Sequence, residues 1–496
     1  MEIITVCAVL RLHYACRSKK FSMAHITHCQ STTHRNFFKP LFDALNAAKH
    51  RRRCPELNDA LWLEAGVRRC LELVQSGRDF LQQLADEHDA HINNSTFFES
   101  LKSERRLRLL DEILAQVRAR MSREMPDPFA AFPCLKDFDL YAGDGHFISA
   151  ACHDKAVPRS QPASAKPGDT TRHKSTKYAT GHLYALDQRS YAMIHLTVAD
   201  QIERKKEHEM RALKRQTIET LRQGAAKGRK PLYVWDRAGI DFRQWYQWKH
   251  QYGIYFLSRE KDNMNLEVIG CLEIDRSQVI NRGVLADEFV ATSQGVSVRR
   301  VIYQDPATGV TYSFLTNLPE SVPPGVVALL YKMRWDVEKV FDEFKNKLAE
   351  TKSWASSPTA KTIQARLLCL TRNLMTLMEE DIYKTSAVRN EAEFKRRDKR
   401  AKDRARHQPA DRESADPEPN NPERTRTSPE RTSPEPVSPE PANPDSSSPL
   451  EIAVLNAFNR LTQRTVKFIR WLRNHLDLPR SWEAALARLA HVYSRM

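Results

Sequence analysis

No stretch of this 496-residue chain holds the ~20 consecutive apolar residues that a membrane-spanning helix needs. Its nine cysteines (Cys7, Cys16, Cys29, Cys54, Cys70, Cys134, Cys152, Cys271 and Cys369) are odd in number, widely spaced and free of any C-x-x-C. That pattern excludes a zinc ribbon and a disulfide framework, and it fits reduced thiols in a cytosolic protein. The N-terminus lacks the marks of a signal peptide. Its apolar run, Ile3 to Leu10, precedes the charges Arg11, Arg17, Lys19 and Lys20 instead of following them, and no small-residue cleavage site appears. The first 22 residues show no clear period, so both Met1 and Met23 remain open as the start. Tryptophan is missing from 249 to 334.

What is present is charge of one sign. Lys and Arg number 78 against 62 Asp and Glu, a net +16, which favours an anionic partner such as nucleic acid or an acidic membrane surface. Hydrophobic residues make up 41%, enough for a core over most of the chain, and the length allows roughly two to four domains.

The apolar pattern divides the chain. Residues 1–36 carry no readable order. Residues 37–125 read as helical and as a probable DNA-binding region: Leu41 and Leu45, then Leu61, Leu63, Val67 and Leu71, recur at helical spacing, and Phe80, Leu81 and Leu84 continue it. Ser95 is the expected cap before Phe97, Phe98 and Leu101. Arg105, Arg106 and Arg108 form a cluster that suits either phosphate or a solvated helix face. From Phe138 the period becomes that of strands: DLYAGDGHFISAA, KYATGHLYALD and SYAMIHLTVA, the last two joined by a tight turn at Gln188-Arg189. A charged helix over about Ile202 to Gln223, the buried strand PLYVWD, a helix with Trp245 and Trp248, and the strand GIYFLS complete a mixed α/β layer over 126–259. Residues 260–320 are rich in β-branched side chains, with a hairpin turn at Asp305 to Gly309. Helix resumes at Pro323-Pro324 and again at about Thr359 to Tyr383, within 321–383. Residues 384–449 turn basic and then hold 11 prolines between 409 and 449, a composition that cannot pack a core and reads as an extended linker. Residues 450–496 regain an amphipathic pattern, with Leu455, Phe458, Leu461, Phe468, Ile469 and Leu472 as a packing face against the core or a second subunit.

Three acids stand where α/β folds place chemistry: Asp144 within the first strand, Asp236 closing PLYVWD, and Glu338 in the helix beginning near Pro324. A carboxylate ending an apolar strand needs solvent, a partner or a metal. Hard divalent cations take oxygen ligands, and a two-metal site draws carboxylates from separate elements. Taken singly, Asp144 could be a turn residue, Asp236 a helix cap and Glu338 half of a surface ion pair. The last helix carries more. Tyr331, Arg334, Glu338 and Lys345 fit Y-x(2)-R-x(3)-E-x(6)-K. At roughly 100° per residue the cumulative steps of about 300°, 700° and 1400° place all four in a band about 60° wide. One face thus joins a carboxylate for metal to a guanidinium, an ammonium and a phenol for phosphates.

On these residues the sequence resembles bacterial insertion-sequence DDE transposases with the YREK signature, over about residues 90 to 382. FLTNLP at 314–319 adds to the likeness. The resemblance implies a ribonuclease H-like core with a β-rich insertion between the second Asp and the Glu. By position it implies Asp144, Asp236 and Glu338 as the catalytic and metal-holding triad, spaced 92 (236 − 144) and 102 (338 − 236) residues apart. It further implies two Mg²⁺ ions, for which Mn²⁺ substitutes, and Tyr331, Arg334 and Lys345 on transposon-end phosphates. The partners it implies are terminal inverted repeats, target DNA and a second copy of the chain in the synaptic complex. Cut-and-paste strand transfer is the implied activity, with a catalytically inactive end-binding protein as the alternative. Asp139, Asp154 and Asp241 compete with the two aspartates, Glu343 with Glu338, and Gly239 comes one residue later than in relatives. Gly143 and Gly145 suggest close approach of a ligand. Some relatives hold a flipped base with an aromatic, and in the absence of a Trp in the insertion Phe289, Tyr303, Tyr312 and Phe314 are the substitutes, although core packing is the reading to prefer for them. His25, His28, Cys29 and His34 match no zinc spacing.

Overall fold

The computed structural model describes residues 31–52, 57–72, 76–88, 91–150, 179–199, 207–225, 227–306, 308–348, 350–386, 388, 390 and 466–494. The 155–176 loop, Asp154, His25, His28, Cys29, nearly all of the 384–449 linker, and Leu455, Phe458 and Leu461 lie outside the described residues.

Five helices come first: α1 (Thr32–Ala47), α2 (Asp59–Leu71), α3 (Gly77–His88), α4 (Asn94–Ser100) and α5 (Glu104–Glu124). Each of α1, α2, α4 and α5 starts at a Ser or Asn whose side chain accepts from a first-turn N–H, which satisfies one otherwise orphaned donor. For α4 the cap is Asn93, and the expected cap Ser95 lies inside the helix as the donor to it. His34 belongs to α1, where its Nε2 meets the Glu64 carboxylate at 2.8 Å. The arginine cluster of α5 is neither a solvated face nor a free phosphate site at two of its three positions. Arg105 forks onto Asp59, while Arg106 is buried over the Trp62 ring and donates to the Leu57 carbonyl.

Nine strands follow: β1 (Phe138–Ser149), β2 (Ala179–Asp187), β3 (Met193–Ala199), β4 (Lys230–Val234), β5 (Tyr255–Arg259), β6 (Glu267–Cys271), β7 (Val284–Ala291), β8 (Ser297–Gln304) and β9 (Thr311–Thr316). They form one sheet in the order β3-β2-β1-β4-β5-β9-β8-β7-β6. β1, β4 and β5 are parallel, and every other pair is antiparallel. The first five strands suit the ribonuclease H-like core, and the β-rich insertion continues its sheet through the β5–β9 pair. The β2–β3 turn is longer than the expected two residues. It spans 188–192 and brings Tyr191 to φ 64°, with Asp187 accepting from Arg189 and Ser190.

Helices cover both faces. On one lie α6 (Glu209–Lys214), α7 (Ile218–Arg222) and α8 (Phe242–Tyr252), packing Met210, Leu213, Trp245 and Trp248 on Tyr141, Leu183 and Phe256. Residues 202–206 of the single charged helix expected over 202–223 lie outside the described residues, and the rest forms two short helices, because Thr217 caps a new start at Ile218. On the other face lie α9 (Pro324–Arg334), α10 (Asp336–Asp342), a π-helical turn (Glu343–Lys347) and the long α11 (Pro358–Ser386), with α2 and α5 packed on α11. Two C-terminal helices, α12 (Val466–His475) and α13 (Trp482–Ser494), close the described chain. They dock on the N-terminal helices of the same chain. Arg68 forks onto Asp477 at 2.7 and 2.9 Å, and Phe468, Ile469 and Leu472 are buried. Among the described residues, no helix is long and apolar enough to cross a membrane.

Candidate active site

Strand alternation decides which side chains of β1 meet which layer. Tyr141, Gly143 and Gly145 face α6–α8, and Leu140, Ala142, Asp144 and His146 face α9–α11. The two glycines make room for protein, not for a ligand. A Cβ at Gly143 would stand 2.5 Å from the Trp235 ring, and one at Gly145 would stand 2.4 Å from the Glu209 carboxylate.

The parallel pair β1–β4 sets the two aspartates side by side. Its register ends at Ala142↔Val234, and Asp144 and Asp236 each come two residues later, on the same face. Asp236 lies at the C-terminal end of β4, where open α/β sheets place their sites. It also caps the short 3₁₀ turn Arg237–Gly239, accepting from the Ala238 N–H at 2.7 Å, so a cap and a candidate ligand coincide in one residue. Asp139, on the opposite parity, is taken up by Arg229. Asp241 caps α8 and pairs with Lys214.

Glu338 reaches the same place from α10. Arg334 donates to its Oε1 at 2.8 Å and, through the other nitrogen of the fork, to Asp144 Oδ2 at 3.2 Å. A guanidinium only 6% exposed thus bridges the β1 acid and the helix acid. Burial, together with the charges of Asp236 and Glu209, pushes the Asp144 carboxyl up to about 7, against the pull of Arg334 and the Gly145 N–H. Burial and Asp236 also raise Glu338, again opposed by Arg334. Asp236 is therefore close enough to act on both other acids. Glu343, the competitor of Glu338, points elsewhere. It is buried in the π turn and faces the buried Arg372 at 3.4 Å.

The four-residue signature is not on one unbroken α-helix. α9 ends at Arg334, α10 begins at Asp336, and residues 343–347 form a π turn. Each residue of the wider π turn advances less than an α-helical step, so Lys345 leaves the band expected of a continuous helix. It is exposed. Tyr331 is half-buried under Arg334, whose Cζ lies 5.6 Å from the ring centroid, and packs on Phe314 at 4.8 Å. Phe314 itself is in the core, while Tyr312 lies under Arg259.

The oxygen-only donor set suits a hard divalent cation, and the raised carboxyls are groups that a cation would relieve. As they stand, no three carboxylate, imidazole or thiolate groups among the described residues converge closely enough to hold an ion. Arg334 supplies the positive charge between Asp144 and Glu338 in their place.

Two features escaped the sequence reading. Glu209 belongs to a charged helix with no motif around it, and only folding brings it against Gly145. The second is a buried polar layer behind Asp144. Tyr184 is opposite Asp144 on β2, and His182 is opposite His146. Glu350, 4% exposed, faces Tyr184 Oη at 3.4 Å and His146 Nε2 at 3.5 Å. Burial pushes Glu350 up to about 8 and, with Lys345 adding, His146 down to about 4, so both are neutral at pH 7.

No curated protein matches this chain. Residues 144–374, from the β1 aspartate through β4, the insertion, α9, α10 and most of α11, match the family model described as "Transposase DDE domain", and the chain carries that domain.

Proposed function

We propose that this protein is an insertion-sequence transposase of the YREK type that binds the terminal repeats of its own element. It cuts them and joins the 3′-hydroxyl ends to target DNA in a divalent-metal-dependent reaction. The observation that carries the reading is the Arg334 fork shared by Asp144 on β1 and Glu338 on α10, with Asp236 just past the paired end of β4 on the same face of the sheet as Asp144.

Asp144, Asp236 and Glu338 would hold Mg²⁺, or Mn²⁺ in its place. A bound divalent ion supplies an activated water and stabilises charge on the scissile phosphate. The chain's own residues do the rest. The parallel register holds the two aspartates on one face, so both address the same phosphate. Arg334 keeps Glu338 and Asp144 aligned, and its planar fork suits a phosphate that displaces one carboxylate. Tyr331 carries its phenol beside that fork, and the exposed Lys345 offers a point charge to the DNA backbone. Joining needs no external energy, because one phosphodiester replaces another. The helical region before the core and a second subunit complete the end complex in this reading.

The test uses purified protein, a duplex ending in the repeats that flank the gene, and Mg²⁺ or Mn²⁺. Asp144→Ala, Asp236→Ala and Glu338→Ala should each abolish nicking and strand transfer yet leave end binding within a few-fold, since affinity comes chiefly from basic residues. Binding by the wild-type protein without any nicking would refute the enzymatic reading. Nicking without joined products would leave a nuclease.

A further inference from the structure

The layer behind the three acids is more polar than packing requires. His182 Nε2 and His195 Nδ1 are buried with no hydrogen-bond partner among the described residues, and His146 Nε2 and Glu350 Oε2, equally buried, meet only each other, at 3.5 Å. Burying such groups costs stability, and apolar residues of the same shape would avoid the cost. A layer kept polar beside a site is a signal of function.

His146 is the member tied to both halves of the site. It follows Asp144 by two residues on the same face of β1 and is 8% exposed. Its ring stacks on Phe341 with centroids 5.0 Å apart and planes 23° apart, and Phe341 is three residues beyond Glu338 on α10. Its far edge meets Glu350, at the head of a segment that hydrogen-bonds back onto the end of β1: Ser149 N–H donates to the Thr351 carbonyl, and Ser353 N–H donates to the Ser149 carbonyl. The imidazole therefore fills the space between the strand bearing one acid and the helix bearing another. Tyr191 Oη on Asp336 at 3.0 Å and Arg372 against Glu343 anchor α10 and the turn after it without touching β1 near Asp144. The Arg334 fork ties the two carboxylates directly, and His146 packs the strand against the helix behind them.

We propose that His146 is a positioning residue of this site. Its ring, packed on Phe341 and facing Glu350, fixes the spacing between Asp144 and Glu338 and so sets the affinity for the divalent ion. The proposal rests on the reading of Asp144, Asp236 and Glu338 as one metal-holding site.

The experiment measures Mn²⁺ binding to the full-length chain by electron paramagnetic resonance, with thermal unfolding alongside. Asp144→Ala serves as the control. Wild type should bind, and Asp144→Ala should lose binding. His146→Ala should weaken binding roughly tenfold, the lower end of what loss of an outer-shell partner does. His146→Phe, which keeps the stacked ring but loses the nitrogen that faces Glu350, should bind more tightly than His146→Ala and more weakly than wild type. In nicking assays the Mn²⁺ concentration for half-maximal rate should rise in His146→Ala, while the rate at saturating Mn²⁺ recovers. Wild-type Mn²⁺ affinity in a folded His146→Ala overturns the proposal, and so does a lowered unfolding temperature with unchanged affinity, which marks a packing role only. If His146→Ala does not fold, Phe341→Leu, which removes the stack from the other side, must weaken Mn²⁺ binding, and its failure to do so overturns the proposal. A wild-type chain that binds no Mn²⁺, or binding that survives Asp144→Ala, refutes the site itself and the proposal with it.

Discussion

Replacing Glu350 by Gln should make the protein more stable at alkaline pH. Glu350 is 4% exposed, with Tyr184 and His146 as its polar neighbours and no Lys or Arg within ion-pair distance among the described residues. Burial raises its carboxyl from 4.5 to about 8. The folded protein therefore keeps a proton that the unfolded chain has released, so this stabilisation is full below pH 4.5 and is lost as pH rises towards 8. At 1.36 kcal/mol per unit the whole span is ~5 kcal/mol, an upper bound. Three neighbours complicate the acid side. Burial lowers His146, His182 and His195, whose contributions run the other way and are lost as pH falls below 6.5. Asp144, raised to about 7, overlaps from the same direction as Glu350. Above pH 7 Glu350 has about one unit left to titrate, or ~1.4 kcal/mol. The thiols of Cys70, Cys134 and Cys369, also raised by burial, add a loss in the same direction as pH approaches 9. Urea unfolding at pH 7, 8 and 9 should show the wild type losing stability of that order across the series. Glu350→Gln, uncharged at that position throughout, should lose less than the wild type by that ~1.4 kcal/mol and overtake it by pH 9. Parallel pH slopes for the two proteins would refute a protonated Glu350 in the native state.

Glu343→Ala should fail by a different route from Glu338→Ala: it removes the carboxylate that faces the buried Arg372 guanidinium, so unfolding should show a loss of about 3–5 kcal/mol. A stable but inactive Glu343→Ala beside an active Glu338→Ala would reverse their assignment. Lys345→Ala should flatten the log–log salt dependence of end binding by about 0.9, the loss of one phosphate contact, with little change in unfolding temperature because the side chain is exposed. An unchanged slope would make Lys345 a solvated surface residue. Deleting 450–496 should lower the unfolding temperature, because Phe468, Ile469 and Leu472 leave the core at roughly 1.5–3 kcal/mol each and Arg68 loses Asp477. Weighing the truncated protein on end DNA then tests pairing, and a retained two-subunit, two-end complex would assign the C-terminal helices to docking alone.

The residues most legible in the sequence were those whose role follows from local periodicity. Alternating apolar residues placed Asp144 in a strand, and a short apolar run placed Asp236 at the end of one. The spacing of Tyr331, Arg334 and Glu338 placed them on neighbouring turns of helix, and the β-branched run after 260 became four strands of the same sheet. Period says which way a side chain points but not what stands opposite, and that was left to the tertiary structure. Only packing turned Arg334 onto two carboxylates, set Glu343 against Arg372, and filled the space over Gly143 and Gly145 with Trp235 and Glu209. Glu350 and His146 are 204 residues apart (350 − 146) and share no motif, so no local pattern could join them. The same holds for Arg68 and Asp477, which dock the C-terminal helices on the chain's own start. Burial is a property of the whole fold, and it is burial that raises Asp144, Glu338 and Glu350 and gives the site its chemistry.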